Sequence, residues 1–327
     1  MNELETLTGK GLLIHHWDTD GICSARLILD KLQEKIVANK TPTLGNYFLT
    51  SQEINECHGF DFIIIVDMSL PEDNILTLAE HAHVYIFDHH LGNVISEVYH
   101  YNPIIKGENP DEYPSASWIV NSYLENPINL SAILGIIGDH EQNIKNNTLI
   151  YPKIQEFCKK NNITFDQLLT MVYLIDSNYK LGDKQAVEQA PYYLLSHQNA
   201  EDILNNKTWK KNLQTLNEEI ENILTEPVTS KHQILFKILD TKSNIISTIT
   251  RQLAWKHNQN TIVINNGYFT DEDQLYVRTI DQDMKPMIQK GKDYGFKCGG
   301  KKEVLGAILP KQKTQAFVDE IIQYLST

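Results

Sequence analysis

Residues 11–25 read GLLIHHWDTDGICSA. An apolar run, Gly11–Ile14, leads directly into two histidines, a tryptophan and two aspartates. Beyond them Ile22, Ala25, Leu29 and Leu32 recur at helical spacing, which predicts a buried strand, a polar turn and a helix over about 22–38. So much charge at the end of one buried strand is unfavourable unless something positive sits among it.

The same arrangement recurs downstream. DFIIIVD (61–67) and HVYIFDHH (83–90) are continuous apolar runs of strand length, as expected for parallel strands covered on both faces. Pro71–His81 between them is helical in pattern. Strand–helix alternation of this kind predicts an α/β fold with right-handed crossovers. Ligands of open α/β sheets bind beyond the carboxyl ends of the strands. Those ends carry His16, Asp18 and Asp20, then Asp67, then Asp88-His89-His90, and Asp139 follows the apolar helix LSAILGIIG. Taken singly, a D-x-D is a solvated loop, a strand-end Asp is a helix cap and a His pair is surface. The same chemistry at three strand ends and one helix end predicts instead that the residues converge.

A convergence of four aspartates is tolerable around cations. Mixed imidazole and carboxylate donors suit Mn²⁺, and also Mg²⁺ or Zn²⁺, better than a thiolate-demanding metal. His16 and Asp18, two apart in extended chain, can point the same way. A carboxylate such as Asp67 can bridge two ions, as in two-metal phosphoesterases. By strand parity His15 and Trp17 face away from His16 and read as packing. Cys23 reads as core and His140 as surface.

The chain as a whole sets limits. Its 327 residues suit two domains. A net charge of −13 argues against a protein that coats duplex DNA by bulk electrostatics, though not against a local basic groove. Cys23, Cys57, Cys158 and Cys298 form no C-x-x-C pair, so the sequence offers neither a disulfide framework nor a zinc-finger site and suggests a reducing compartment. The first ten residues lack a signal core, and no apolar stretch approaches the roughly 18 residues of a membrane span. A cytoplasmic protein without membrane contact is expected. From about 115 to 225 the pattern is mainly helical, ending in a linker helix over 209–224 and Glu226-Pro227. Strand candidates follow at 232–240, 260–269, 274–280 and 303–309, with helices near 243–257 and 312–325. The expected domains are 1–228 and 229–327.

HHWDTDGICSA, IVDMS, FDHHLGN and GIIGDH resemble, in order and approximate spacing, the four motifs of the DHH phosphoesterases. That family includes RecJ-type single-strand exonucleases, oligoribonucleases, cyclic-dinucleotide phosphodiesterases and type II inorganic pyrophosphatases. The form H-x-D-x-D-G is most similar to archaeal RecJ-like members. The resemblance implies an N-terminal parallel-sheet domain with a helical extension, a smaller α/β C-terminal domain and an active site in the cleft between them. It assigns His16, Asp18, Asp20, Asp67, His89 and Asp139 as ligands of two divalent cations, Mn²⁺ first and Mg²⁺ as the other candidate, with Asp67 bridging. His90 would contact the scissile phosphate and Asp88 would orient the pair.

In the C-terminal half, YGFKCGGKKEVLGAILP (294–310) resembles the glycine-rich motif of the DHH-associated C-terminal domain. Gly299, Gly300 and Gly306 match its glycines, whereas Lys301 stands where that motif has histidine and Val304-Leu305 replace its paired alanines. LYVRTI resembles the strand bearing the substrate-binding arginine, here Arg278. Independently of the family, Lys290, Lys292, Lys297, Lys301 and Lys302 fall within thirteen residues, with Tyr294 and Phe296 among them. Paired glycines allow close backbone approach to a ligand, and positive charge with aromatics suits a short single strand. The expected activity is a Mn²⁺-dependent exonuclease that hydrolyses short single-stranded RNA or DNA to mononucleotides. The alternatives are a cyclic-dinucleotide phosphodiesterase or a non-catalytic, replisome-associated DHH scaffold. A homodimer and a replication or repair partner stay open.

Overall fold

Every residue of the first strand, β1 (Gly11–His15), is buried, as its unbroken apolar sequence requires. The computed structural model describes residues 3–231 and 233–326. It divides into two units, one of Met1–Tyr179 with Asp183–Leu213, the other of Lys180–Gly182 with Gln214–Thr327.

In the first unit β1 is followed by α1 (Thr19–Leu32), β2 (Ile36–Lys40), α2 (Ser51–Asn55), β3 (Phe62–Val66), α3 (Glu72–Ala79), β4 (His83–Phe87) and β5 (Tyr99–Tyr101). Six helices come next: α4 (Ala116–Tyr123), α5 (Leu130–His140), α6 (Tyr151–Asn161), α7 (Phe165–Lys180), α8 (Lys184–Ser196) and α9 (Ala200–Leu204). The strands pair in the order β2-β1-β3-β4-β5, and every pairing is parallel. Alternate side chains feed two cores. Leu12, Ile14, Ile63, Ile65 and Ile86 join the core that includes Ile133 of α5 and Leu168 of α7. Leu13, Phe62, Ile64 and Phe87 join the core formed with Ile28 and Leu29 of α1.

The helix expected over 22–38 is shorter. It ends at Leu32, and Ile36–Lys40 is the edge strand β2. Leu29, Leu32 and Ile36 continue the helical spacing, but the β-branched pair Ile36-Val37 favours extended chain, and Ile36 is buried against β1. This strand order places the topological switch between β1 and β3, the point at which doubly wound sheets open a crevice.

Helix α10 (Lys207–Thr225) starts in the first unit and ends in the second. There follow β6 (Thr229–Lys231), β7 (Ile234–Leu239), α11 (Ile246–His257), β8 (Thr261–Asn265), β9 (Glu272–Arg278), α12 (Lys285–Asp293), β10 (Lys297–Lys301), β11 (Val304–Pro310) and α13 (Lys311–Leu325). Residue 232, at the start of the strand expected over 232–240, lies outside the described residues. The second sheet has the order β10-β11-β9-β8-β7-β6, antiparallel except between β7 and β8. Leu275, Val277, Leu305 and Leu309 face Phe317 and Ile321 of α13. Val263 of β8 packs on the other face with Ile249 and Leu253 of α11, and Tyr276 of β9 lies against that cluster. Among the described residues no helix is long and apolar enough to cross a membrane.

Candidate metal centre

The centre forms where β1, β3 and β4 end. Asp18 is the N-cap of α1, its Oδ1 accepting from the Gly21 amide at 3.1 Å, as a short acidic side chain does at a helix start. His16 sits just before it, with Nδ1 2.8 Å from Asp18 Oδ2 and 3.6 Å from Asp67 Oδ2. Asp67 follows β3 with φ of +58°, a left-handed conformation that a non-glycine residue adopts at a free-energy penalty. Its amide donates to the Phe87 carbonyl at 2.9 Å, which pins the turn against β4. The other carboxylate oxygen, Asp67 Oδ1, is 3.4 Å from His89 Nε2, and that nitrogen is 3.1 Å from Asp139 Oδ2 at the end of α5.

Asp20, in the first turn of α1, is fully buried. Its carboxylate accepts from the first two amides of α4, Ala116 at 2.6 Å and Ser117 at 2.9 Å, the charge a helix N-terminus favours. A Cβ at position 135 would overlap both Ser117 Oγ and Asp20 Oδ1, so the approach of α5 depends on Gly135. Asp88 holds His90 through a 2.7 Å bond from Nδ1 to Oδ1, and Asn102 donates to the His90 carbonyl at 2.8 Å.

The six predicted ligands therefore converge within the first unit, with Asp88 and His90 beside them. Three overlapping triads bring one donor atom of each member within 4.8 Å of the others: His16/Asp18/Asp67, Asp67/His89/His90 and Asp20/His89/Asp139. Burial raises the Asp67 pKa well above the usual carboxylate range, and the charges of Asp20, Asp18, Asp139 and Asp88 push it the same way. Burial acts likewise on Asp18 and Asp88, but neighbouring histidines and hydrogen bonds prevail and lower both. Burial lowers His89; for His90 the Asp88 bond and charge outweigh burial and raise it.

A cation fits this donor set. Both carboxylate oxygens of Asp67 and the Nε2 of His16 are buried without a hydrogen-bond partner among the described residues. Buried polar groups are normally satisfied, and a buried carboxylate without a partner is costly by several kcal/mol. The two oxygens of Asp67 face different neighbours, His16 on one side and His89 on the other. His15 and Trp17 are buried as packing, and burial takes His15 down to about 4. Cys23 is core. His140 is half-buried, with its Nε2 2.8 Å from the Pro114 carbonyl.

One residue of this region escaped the sequence reading. Asp176, buried on α7, accepts from the Thr19 amide at 3.0 Å and the Thr19 hydroxyl at 2.6 Å, fixing the residue between Asp18 and Asp20. Its signal was a lone acid inside the apolar run MVYLID, which needs a buried partner.

The second unit places Arg278, Gly299 and Lys301 on one face of its sheet, whereas Gly300 faces the other way, opposite buried Leu305. Across the sheet Lys301 pairs with Val304 and Val304 with Arg278; Gly299 pairs with Gly306 and Gly306 with Tyr276. Directly opposed residues share a face, so two glycines form a bare floor flanked by Tyr276, Arg278 and Lys301. Gly300 has φ of +151°, and a Cβ there would overlap the Val304 carbonyl oxygen. The Arg278 and Arg251 guanidinium carbons lie 5.2 and 5.5 Å from the ring centre of Trp255, which is 62% exposed; neither Arg251 nor Trp255 was foreseen. The lysine-rich stretch is partly spent elsewhere. Lys290 pairs with Glu320 at 2.7 Å, Lys297 pairs with Glu272 at 3.1 Å, and Tyr294 and Phe296 pack against Phe317.

Residues 11–149 match the DHH family, N-terminal domain. No curated protein matches the chain. Among solved structures it is similar to exonuclease RecJ bound to manganese, at 15% identity and a TM-score of 0.67, over 97% of this chain and 90% of that one. It is also similar to RecJ in complex with Mn²⁺ from Thermus thermophilus, at 16% identity and a TM-score of 0.69, covering 97% of this chain and 52% of that one. The pGpG-specific phosphodiesterase PggH from Vibrio cholerae aligns at 14% identity and a TM-score of 0.55, over 96% and 98% of the two chains. The chain thus has a RecJ-like fold, and its match to the DHH family is confined to residues 11–149.

Proposed function

We propose that the protein is a divalent-metal-dependent phosphodiesterase that hydrolyses short single-stranded oligonucleotides, RNA or DNA, to mononucleotides. The observation that carries this reading is Asp67, whose two unpartnered buried oxygens face the His16/Asp18 pair and the His89/Asp139 pair. His16, Asp18 and Asp67 would hold one ion, and Asp20, Asp67, His89 and Asp139 a second, with Mn²⁺ preferred and Mg²⁺ also suited to these donors. When bound, such ions supply charge stabilisation at the phosphoryl oxygens and acidify an attacking water. His90, oriented by Asp88, whose bond and charge raise its pKa, would serve as a hydrogen-bond donor toward a phosphoryl oxygen. Asp20 and Asp176 hold the first turn of α1 so that Asp18 does not swing away.

The second unit supplies the grip. Arg278 and Lys301 bind non-reacting phosphates, Gly299 and Gly306 admit the backbone of the strand, and exposed Trp255 offers a stacking face. Binding through these groups weakens as salt rises. A dinucleotide phosphodiesterase would use the same metal ligands. A non-catalytic scaffold has no need of them, and the convergence of all six favours an enzyme.

The test is a chain-length series of labelled RNA and DNA oligomers, with linear and cyclic dinucleotides alongside, in Mn²⁺ or in chelator. Stepwise shortening to mononucleotides in Mn²⁺, and no product in chelator, is expected. Full activity in excess chelator refutes the metal centre, and cleavage of cyclic dinucleotides alone transfers the reading to that class.

A further inference from the structure

Beside His90, wholly within the first unit, lies a pocket of about 160 Å³. Buried Met68, Ile75 and Ile86 line it together with exposed Ser69, His90 and Asn93. Asp88 and Asn102 also reach it, but both are engaged in holding His90. Polar side chains, Glu72 and His100 among them, supply half of the lining, so the pocket suits a small flat ligand that also carries hydrogen-bonding groups. The stretch bearing Gly92 and Asn93 leaves Leu91 83% and Val94 56% exposed, so apolar surface continues outside the pocket.

We propose that this pocket receives the base of the nucleotide next to the scissile phosphate, and that its size selects single-ring over double-ring bases. The inference rests on the phosphodiesterase reading for the role of His90, which would touch the phosphate while the adjoining base enters the pocket. An apolar cavity of about 150 Å³ accommodates one benzene ring. A pyrimidine therefore fills this pocket, and the second ring of a purine exceeds it. The flat faces of the base meet Met68, Ile75 and Ile86. Its polar edge meets the Asn93 amide, which donates and accepts, and the Ser69 hydroxyl.

Gly92 provides the test. A Cβ there would lie 3.9 Å from Ser69 Oγ, in ordinary contact, and Gly92 is not among the positive-φ glycines. Leucine at this position therefore obstructs the opening without backbone strain. Equilibrium dialysis of CMP and AMP against the full chain in Mn²⁺ is expected to give about tenfold tighter binding of CMP. In Gly92→Leu that ratio should fall to about one, with circular dichroism confirming the fold. Ile75→Ala, which enlarges the pocket, should move the ratio toward AMP. Equal binding of CMP and AMP by the parent, or an unchanged ratio in Gly92→Leu, overturns the inference. Hydrolysis of dinucleotides, measured in parallel, separates the two readings. A Gly92-dependent CMP preference without any hydrolysis keeps the base pocket and removes the phosphodiesterase. Hydrolysis that ignores both the base and Gly92 does the reverse.

Discussion

Replacing Asp67 by asparagine perturbs the centre where its charge is most confined. Asparagine has nearly the same size and also tolerates left-handed backbone, so the φ of +58° at this position survives. Donor atoms of His16, Asp18 and Asp67 lie within 4.8 Å of one another. At that separation two carboxylate charges repel by about 3.5 kcal/mol at an effective dielectric constant near 20. Metal-free parent protein escapes part of this by protonating Asp67. Because burial and the surrounding aspartates raise its folded pKa above the ordinary 3.8, folding takes up a proton. The stability due to this carboxyl is then complete below pH 3.8 and lost as pH rises through the folded value. Asp67→Asn abolishes both the repulsion and that slope. In chelator at neutral pH the variant should be the more stable protein, by up to about 3.5 kcal/mol for the Asp18 contact. For a domain of this size that is a rise in Tm of roughly 7–14 °C. With Mn²⁺ at a hundred times its Kd the parent instead gains about 2.7 kcal/mol, and the variant gains little. The order of melting temperatures should therefore reverse between chelator and Mn²⁺, read by differential scanning calorimetry. A variant that melts below the parent in chelator, or equal Mn²⁺ shifts in both, refutes the reasoning.

Asp20→Ala should behave oppositely in chelator: two charge-assisted bonds to the α4 amides are lost, and urea denaturation should register about 3 kcal/mol of destabilisation. A variant as stable as Asp67→Asn would mean that those bonds contribute nothing. Lys301→Ala, at an exposed position that opposes Val304 in register, should raise KM for oligomers about tenfold, or roughly 1.4 kcal/mol, with kcat little changed. The effect should shrink with added salt, and a loss confined to kcat would move Lys301 to the reacting centre.

The strands that carry the centre were legible because β1, β3 and β4 are buried on both faces and so read as unbroken apolar runs. β2 was not: an edge strand buries fewer residues, and Ile36 falls in phase with the preceding helix. The ligand cluster was legible because strand ends share one side of a parallel sheet, whatever their distance in sequence. Asp176 lies 157 residues from the Thr19 it holds, and nothing local specifies such a pairing. The lysine stretch misled in part because sequence proximity counts charges without showing that Glu320 and Glu272 neutralise two of them.

Asp18 and Asp20 each have two employments, as helix tethers and as members of the ligand cluster, whereas Asp67 and His89 have only the second. A descendant lineage released from catalysis would still need the D-T-D turn to fold, so that motif would persist under selection for stability alone. Asp67 would drift first, since its loss relieves the metal-free fold. Among relatives of this chain, the residue at position 67 is therefore the sharper marker of a working enzyme, and an intact D-x-D without it marks a retired one.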